Sequence, residues 1–481
     1  MVSERLDQLE ARSRELQPGA GERERLDRQA LALAEGYYAR MDEQPVLEAP
    51  EASPPPQWYA EFPEQGDSPE RVFAELEPIL ARSGIKLGSG RLFGFIPGSG
   101  MHTAALGDLL AAVTNRYVGA SFAAPEAVKL EHGLLRWLAA EIGYPDSATG
   151  DLTSGGSIAN LTAIAAAREA QGIDPRDYER APIYCTAQAH HCVDKALRIL
   201  GLDRCPLRRV AMDAGYRMRP EALREAVDAD RTAGRLPWLV IASAGTTDTG
   251  AVDPLDSIAD IARDSGLWLH ADGAYGAAFA LCRPGRERLH GLARADSLII
   301  DPHKGLFTPF GSGVVLVRNP EHLRAAMTER AAYMQDAHSL AGDHTAEPHD
   351  MSVELSRHFR GLRLWLPLRL HGVAPFRAAL EEKLLLAEYF HQCIAALDGF
   401  EAGPAPDLSV VTFRYLPDSG DADNFNRRLV DTIQREGRVF LTSTVLDGRV
   451  VLRLAILAMA THREYVDEAL EVLAETAGRV E

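Results

Sequence analysis

Between about residue 150 and residue 320, short β-rich runs alternate with helical stretches. Strands that alternate with helices form a mainly parallel sheet with helices on its faces, so this pattern predicts a central α/β domain. The helical stretch 255–265 is one of the connections. The predicted strands are Ile183–Cys185, Trp238–Ala242, Leu267–His270, Ser297–Ile300 and Val314–Val317.

Different patterns flank this region. The first forty residues are typical of a charged helix, and a proline-rich linker lies around residues 51–56. In residues 104–143, the apolar residues recur at the spacing of a helix. After about residue 375 come a long helix, a strand, a hairpin with its turn at Asp447-Gly448 and an amphipathic helix. We therefore expect a helical segment and linker over 1–100, a large α/β domain over 101–375 and a small α+β domain over 376–481.

Charge and cysteine content narrow the class of protein. The net charge of −18 argues against a nucleic-acid or anionic-membrane partner. The five cysteines are scattered without C-x-x-C spacing, so we expect neither a disulfide framework nor a bound metal. Residues 1–40 lack the apolar core of a signal peptide, and no apolar stretch is long enough to span a bilayer. These features favour a cytoplasmic protein.

A lysine follows one of the predicted strands in the run Asp301-Pro-His303-Lys304. Lysine is rare in this chain, with five lysines among 51 basic residues. Unlike arginine, a lysine can lose its proton and form an imine. Lys304 is therefore a candidate Schiff-base residue, although a solvated residue after a strand would give the same pattern.

Glycines and a serine precede a helix in Thr153-Ser-Gly155-Gly156-Ser157. Amide groups at a helix N-terminus together with a hydroxyl suit a phosphate. The run is neither a G-x-G-x-x-G nor a Walker loop, so it does not predict a dinucleotide or ATP site. A serine-capped helix after a glycine turn is the alternative.

Three further clusters follow predicted strands, where ligands of open α/β sheets bind. His190 and His191 lack the spacing of metal ligands, and His190 could lie flat against an aromatic ligand. Asp272 could hold a protonated ring nitrogen, and the small Ala274 would let a planar ring come close; a helix-capping aspartate is the alternative. Thr247 lies in a hydroxyl-rich run that is also typical of a turn.

Together, these residues supply a phosphate cup, a flat histidine, a carboxylate and an imine-forming lysine, which is the set that pyridoxal phosphate (PLP) requires. In Asp-Pro-His303-Lys304 and Leu-His-Ala-Asp272-Gly-Ala-Tyr, the chain resembles the group II PLP-dependent decarboxylases, the family of aromatic-L-amino-acid, histidine and glutamate decarboxylases. The resemblance extends from about Phe93 to Ala455.

The resemblance implies PLP fold type I, as in aspartate aminotransferase, with a mainly parallel seven-stranded sheet. It also implies a homodimer with active sites at the subunit interface and a small-molecule amino acid as substrate. Lys304, His190 and Asp272 would be catalytic. The cofactor would be bound by Gly155, Gly156, Ser157, His190, Thr247, Asp272, Ala274, His303 and Lys304. Thr247 would support the Asp272 carboxylate.

Two regions depart from the aromatic decarboxylases. Residues 335–357 lack the tyrosine that protonates the product there; Tyr333 precedes this stretch, and His338, His344 and His349 lie within it. We expect a loop histidine to take that role. Gly305 replaces a common tryptophan, and the segment 95–100 is rich in glycine, so we expect an altered pocket wall.

The leading hypothesis is therefore PLP-dependent decarboxylation of an L-amino acid. An oxygen-consuming aldehyde synthase or a transaminase-like enzyme on the same fold is the second hypothesis. A non-catalytic PLP-binding protein is the third, and the presence of Lys304, Asp272 and His190 argues against it.

Overall fold

A computed structural model describes residues 2–41, 43–48, 62–81, 84–328 and 347–480. The α-helices are α1 (Val2–Ser13), α2 (Ala20–Arg40), α3 (Pro69–Ala81), α4 (His102–Thr114), α5 (Pro125–Ile142), α6 (Gly156–Ala170), α7 (Cys192–Ile199), α8 (Pro220–Thr232), α9 (Leu255–Asp264), α10 (Arg283–Arg288), α11 (Pro302–Gly305), α12 (Pro320–Met327), α13 (Gly361–His371), α14 (Ala374–Ala395), α15 (Ala422–Glu436) and α16 (Arg463–Val480). The strands are β1 (Leu47–Glu48), β2 (Gly84–Ile85), β3 (Thr149–Thr153), β4 (Ile183–Cys185), β5 (Leu207–Arg209), β6 (Leu239–Ser243), β7 (Trp268–Asp272), β8 (Ser297–Ile300), β9 (Gly313–Val317), β10 (Phe400–Ala402), β11 (Val410–Tyr415), β12 (Thr442–Leu446) and β13 (Arg449–Ala455). Short 3-10 helices lie at Arg14–Leu16, Tyr178–Arg180, Leu202–Arg204, Ala277–Leu281, Leu292–Arg294 and Pro348–Asp350.

The large sheet has seven strands in the order β3-β9-β8-β7-β6-β4-β5. The pairs β5–β4, β4–β6, β6–β7 and β7–β8 are parallel, whereas β9 is antiparallel to both of its neighbours. The predicted α/β class with a mainly parallel seven-stranded sheet is therefore confirmed. All five predicted strands of this sheet are present, shifted by two residues or fewer at either end.

Helices bury both faces of the large sheet, which is why its strands are apolar runs rather than alternating ones. On one face, Ile164 of α6, Val193 of α7 and Leu323 of α12 share a core with Trp268 and Val315. On the other face, α5, α8 and α9 pack against the alternate residues of the same strands. Because side chains alternate along a strand, the positions 268, 270 and 272 of β7 all face the layer that contains α6.

The small sheet has the order β10-β11-β13-β12, with antiparallel pairs throughout. Helices α14, α15 and α16 supply apolar residues to the core on this sheet. The predicted hairpin is confirmed, since Leu446 pairs with Arg449 across Asp447 and Gly448. Both turn residues have positive φ (50° and 77°), as a two-residue hairpin turn requires.

The described part of the chain before the large sheet is mainly helical, as expected, and also holds the antiparallel pair β1–β2. None of the described helices is long and apolar enough to cross a membrane. Helix α14 begins at Ala374, close to the predicted boundary between the large and small domains. The domain limits 1–100, 101–375 and 376–481 stay a prediction.

Candidate active site

A cavity of about 280 Å³ lies at the carboxyl ends of the parallel strands β4, β6, β7 and β8. All nine residues predicted to bind the cofactor line it, and they include the three predicted to be catalytic. The lining residues are Ser154, Gly155, Gly156, Ser157, Ile158, Asn160, Gln188, His190, Cys192, Ser243, Gly245, Thr246, Thr247, Asp272, Ala274, Tyr275, Asp301, His303 and Lys304. The fold therefore brings together residues that are separated by up to 150 positions in sequence, from Ser154 to Lys304.

The glycine pair forms a cup at the N-terminus of α6. Gly155 is the N-cap residue with a φ of 147°, a conformation that favours glycine, and no side chain caps the helix. The serine-capped helix considered as an alternative is therefore not what forms. A Cβ on Gly155 would lie 3.6 Å from Cε1 of His303, and one on Gly156 would lie 2.8 Å from Oδ2 of Asp301. The cup is thus open backbone, faced by an imidazole and a carboxylate.

Lys304 lies on the short helix α11, which directly follows β8. Its Nζ lies 3.0 Å from Oδ2 of Asp301, whose side chain is 3% exposed. The backbone of this helix packs tightly against the segment before α4, because a Cβ on Gly98 would lie 1.8 Å from the carbonyl oxygen of His303. Only a glycine at 98 permits this approach, which fixes the position of the lysine backbone.

Asp272 ends β7 and receives two hydrogen bonds. The backbone N–H of Ala274 donates to Oδ1 (3.2 Å), and Nδ2 of Asn160 donates to Oδ2 (3.1 Å). Asn160 lies on α6 and is fully buried. A carboxylate accepts but does not donate, so the amide nitrogen of Asn160 must face Asp272 and its oxygen must face away.

A chain of hydrogen bonds continues from Asn160 into the core. Its Oδ1 lies 2.8 Å from Nε2 of His270, and Nδ1 of His270 lies 2.8 Å from Oγ of Ser297. The Trp268 indole donates to the same Oγ at 2.9 Å. Because Oδ1 of Asn160 can only accept, Nε2 of His270 donates to it. In a neutral ring, Nδ1 then accepts the proton of the Ser297 hydroxyl, whose oxygen accepts the Trp268 indole N–H. We call Asn160, His270, Ser297 and Trp268 the Asp272 support chain.

His270 is neutral in this arrangement. Burial lowers its pKa to about 4, against an ordinary value of 6.5. A neutral imidazole with its proton on Nε2 is the form that the support chain requires. The orientation of Asp272 is therefore fixed by a series of buried groups, each with one possible direction of donation.

His190 lies near Asp272 at the start of α7. Burial lowers its pKa, which favours a neutral ring, and its Nδ1 accepts the N–H of Cys192 at 3.3 Å. The ring of His191 lies 4.1 Å away, centroid to centroid. Burial raises the pKa of the Cys192 thiol to about 12, so this thiol is protonated and unreactive as a nucleophile.

The small domain holds the loop after β6. Arg453 of β13 donates to the carbonyl oxygen of Thr247 (2.6 Å) and to that of Phe95 (2.9 Å). The hydroxyl of Tyr275 lies 2.7 Å from Oγ of Ser409. These contacts position Thr247 in the cavity wall through its backbone. The predicted support of Asp272 by the Thr247 hydroxyl stays a prediction.

The sequence patterns predicted no role for Asn160, His270 or Asp301. His270 could have been found from its position two residues before Asp272 on the same strand, since such residues share a face. Asn160 could have been found because it shares one face of α6, at helical spacing, with the small residues Gly156, Ala163 and Ala167. Asp301 belongs to the quoted motif, but the sequence does not show that its side chain reaches the cup.

The two departures have different outcomes. A side chain at 305 would point at Ala278, since a Cβ there would lie 2.5 Å from that residue's Cβ, and Gly305 does not line the cavity. The expectation that Gly305 alters the pocket wall is therefore wrong. Tyr333, His338 and His344 lie outside the described residues. His349 is described, and its Nδ1 lies 2.9 Å from the carbonyl oxygen of Gly119.

The cavity fits PLP. The open backbone of Gly155 and Gly156 would accept a phosphate, as helix N-termini do. Oε1 of Gln188 and Oδ1 of Asp301 are buried and have no hydrogen-bond partner among the described residues, as polar atoms facing a ligand would be. Asp272 and Lys304 line the same cavity, where a ring nitrogen and an aldehyde could be held at once.

Comparison with known proteins agrees with this geometry. Residues 51–416 match the family model described as the pyridoxal-dependent decarboxylase conserved domain. An aromatic-L-amino-acid decarboxylase of Bacillus atrophaeus is 35% identical over 467 residues, with 96% of each chain covered. A phenylacetaldehyde synthase of Arabidopsis thaliana is 30% identical, covering 92% of this chain and 93% of the relative.

Among solved structures, TDC of Oryza sativa with PLP and tryptamine superposes with a TM-score of 0.89 and 28% identity, covering 96% of this chain and 99% of that chain. The family match, the two relatives and this structure agree with the chemistry that the cavity supports. The chain therefore belongs to the pyridoxal-phosphate-dependent decarboxylases and is an amino-acid carboxy-lyase that uses PLP.

Proposed function

We propose that Lys304, Asp272 and His190 carry out the decarboxylation of an aromatic L-amino acid in this cavity. The observation that carries the assignment of these residues is that all nine residues predicted to bind the cofactor line one cavity. The aromatic class is supported by the aromatic-L-amino-acid decarboxylase that is 35% identical along 96% of the chain.

PLP, when bound, supplies an aldehyde that joins amines and a ring that accepts the electron pair left by departing carbon dioxide. Lys304 would hold the aldehyde carbon through its Nζ. Asp272 would keep the ring nitrogen protonated, and the hydrogen bonds from Asn160 and Ala274 hold its carboxylate in place. The neutral, flat ring of His190 would stack against the cofactor. Gly155, Gly156, Ser157 and His303 would hold the phosphate, and Thr247 and Ala274 would complete the ring site.

Borohydride reduction followed by peptide mapping tests the role of Lys304. We expect the label on the peptide with Lys304 and on none of the peptides with the other four lysines, which serve as internal controls. A Lys304→Ala variant should take up no label. A label elsewhere, or none in the wild type, would contradict the assignment.

The phenylacetaldehyde synthase among the relatives makes aldehyde formation the second candidate activity. A panel of aromatic, acidic and basic amino acids, scored for carbon dioxide, amine, aldehyde and peroxide, separates the two. We expect amine and carbon dioxide in equal amounts from an aromatic substrate. Stoichiometric aldehyde and peroxide would show the synthase, and turnover confined to acidic or basic substrates would refute the aromatic assignment.

We also propose that the protein is a homodimer with its active sites at the interface. Leu109, Leu110 and Val113 are exposed on α4, as is Leu370 on α13. Asp108 accepts hydrogen bonds from Arg363 of α13, which also donates to the Phe310 carbonyl, so these elements form one surface. The Phe310 ring is 64% exposed and lies 5.5 Å from the ring of His303, so the apolar surface reaches the cavity wall.

Sedimentation of a Leu110→Asp variant tests the dimer. We expect this charge to produce monomers with weakened cofactor binding. Leu385→Asp is the matched control, because Leu385 is at least as exposed as Leu110 (58% against 49%) but lies on α14 of the small domain. Monomeric wild-type protein, or equal behaviour of the two variants, would contradict the proposed interface.

A cytoplasmic location is the last part of the proposal. All five cysteines are free, and four of them are buried. Free thiols in this number favour a reducing compartment. Fractionation of cells that produce the tagged protein tests it, and recovery outside the cytoplasmic fraction would contradict it.

A further inference from the structure

Asp301 is a buried carboxylate at a place where an anion is expected. Its Oδ2 lies 3.0 Å from Nζ of Lys304 and 3.7 Å from Nε2 of His303. Its Oδ1 is buried and has no hydrogen-bond partner among the described residues. A buried charged oxygen without a partner is costly, so this atom needs an explanation.

Asp301 also lies in the glycine cup. Oδ2 lies so close to Gly156 that a Cβ on that residue would be 2.8 Å away. The carboxylate therefore occupies the region at the N-terminus of α6 where a phosphate would be stabilised. A phosphate held by Gly155, Gly156 and His303 would meet a carboxylate oxygen, and two anionic oxygens repel each other unless a proton lies between them.

The chemistry of Lys304 adds to this repulsion between the carboxylate and the phosphate. It is the nearest cation to Asp301, and it must be an uncharged amine before it can attack an aldehyde. When the ammonium gives up its proton, Asp301 loses its counter-ion while the phosphate lies beside it. Both changes favour the neutral acid over the carboxylate.

We propose that Asp301 becomes protonated when the cofactor binds and donates a hydrogen bond to its phosphate. The inference rests on the proposed function. With an aldehyde present, the proton moves from the Lys304 ammonium to the Asp301 carboxylate, leaving an amine and an acid. With a ligand that lacks the aldehyde, Lys304 keeps its proton and Asp301 takes one from solvent. No other bond changes with the ligand that lacks the aldehyde; with the aldehyde, the freed amine then forms the imine and releases water.

Four other titratable groups in the described part of the chain face Asp301. His303 lies on the same helix, Lys304 is its ion-pair partner, and His190 and Cys192 of the β4–α7 region both feel its charge. The number of protons that one protein takes up on binding a ligand could therefore include protons on these groups. The difference in proton uptake between two proteins that differ only at position 301 isolates the contribution of Asp301.

The test compares the cofactor-stripped wild type with Asp301→Asn, which keeps the shape and cannot be protonated. Pyridoxine phosphate is the probe, because it carries the ring and phosphate but an alcohol in place of the aldehyde. Calorimetry in buffers of different ionisation enthalpy counts the protons that binding takes up. We expect about one proton more per site in the wild type at about pH 8.

Affinity gives a second measurement. Because one additional proton is linked to binding, the wild-type dissociation constant should rise about tenfold per pH unit relative to that of Asp301→Asn. Pyridoxine, which has the ring and the alcohol but no phosphate, should not show this relative dependence on pH. Asp296→Asn is the control, since Asp296 precedes the same strand at its opposite end and accepts the N–H of Leu269 at 2.8 Å.

Equal proton counts in the two proteins, with parallel affinity profiles, would overturn the inference. The same result with Asp296→Asn as with Asp301→Asn would overturn it as well. These outcomes are distinct from failure of the proposed function, which would appear as absent borohydride labelling of Lys304. A labelled Lys304 with equal proton counts would leave the proposed function in place and remove the role of Asp301.

Discussion

The cavity holds two buried carboxylates, Asp272 and Asp301, and their surroundings differ. Both oxygens of Asp272 accept hydrogen bonds, and the one from Asn160 is itself supported by buried groups that lead to Trp268. Asp301 has a lysine beside one oxygen and no partner for the other among the described residues. Each oxygen of Asp272 thus has a donor, whereas only one oxygen of Asp301 does among the described residues.

This difference follows from what each carboxylate would face. Asp272 would face a protonated ring nitrogen, so donors that hold its carboxylate in place assist catalysis. Asp301 would face a phosphate, so donors that favour its charged form would oppose cofactor binding. Asp272 and Asp301 are thus both buried, with 9% and 2% of their surface exposed, but the cofactor groups that they would face carry opposite charges.

Asp272→Asn should have the largest effect. An amide cannot keep the ring nitrogen charged, so we expect kcat to fall by roughly 10³-fold, the magnitude of losing one electrostatic contact to the transition state. Cofactor affinity should change far less. Asp253→Asn is the control, because Asp253 is also buried and accepts two backbone N–H groups (2.7 Å each) outside the cavity. A kcat within tenfold of wild type would refute the role of Asp272.

Asn160→Ala should have the next largest effect, because it removes the side-chain donor to Asp272 and leaves the carboxylate in place. We expect kcat to fall roughly 10- to 100-fold, as is usual for a residue that orients a functional group. The pH dependence of the bound cofactor's absorbance should shift as well, because Asp272 would stabilise the ring proton less. A merely structural role would not move that spectrum.

Asn426→Ala is the matched control for Asn160. Asn426 is fully buried and its side chain hydrogen-bonds both the N–H and the carbonyl oxygen of Tyr415 in the small domain. We expect this variant to be less stable and to retain the wild-type kcat and absorbance profile. Equal kinetic losses in the two variants would show that Asn160 acts only through stability.

His270→Gln tests the neutral histidine through stability. An unfolded histidine gains its proton near pH 6.5, whereas burial lowers the pKa of folded His270 to about 4. Between these values the unfolded state binds more protons, so stability is lost as the pH falls from 6.5 towards 4. We measure the free energy of unfolding of the cofactor-stripped proteins by urea titration over this pH range. On acidification, this free energy should fall by about 2 kcal/mol less in the variant than in the wild type.

His391→Gln is the control for this pH dependence, because His391 belongs to the small domain, where its Nε2 lies 3.0 Å from the carbonyl oxygen of Gly403. On acidification, the stability of this control should fall as much as that of the wild type. If the free energy of unfolding of His270→Gln fell with pH as steeply as that of the wild type, His270 would be already charged or exposed to solvent.

The role of Asp272 can be predicted from the sequence, whereas that of Asp301 cannot. Asp272, Lys304 and the glycine cup follow strands, and position relative to a strand can be read from apolar runs and turn residues. Asn160 meets Asp272 only because α6 packs on the face of β7 that carries positions 268, 270 and 272. That contact depends on how a helix is placed on the sheet, which local pattern does not determine. The close approach of Asp301 to Gly156 is a tertiary contact of the same kind.

Ser297→Ala should have the smallest effect on catalysis, because Ser297 acts on Asp272 only through His270 and Asn160. The variant leaves the Trp268 indole without its acceptor and His270 without its donor, so we expect the free energy of unfolding to fall by about 1–3 kcal/mol. The kcat should stay within about threefold of wild type, because the bond from Asn160 to Asp272 remains. Ser409→Ala, which removes the buried partner of the Tyr275 hydroxyl, is the control for stability. If Ser297→Ala lowered kcat as far as Asn160→Ala, the support chain would act as one unit whose effect does not decline with distance from Asp272.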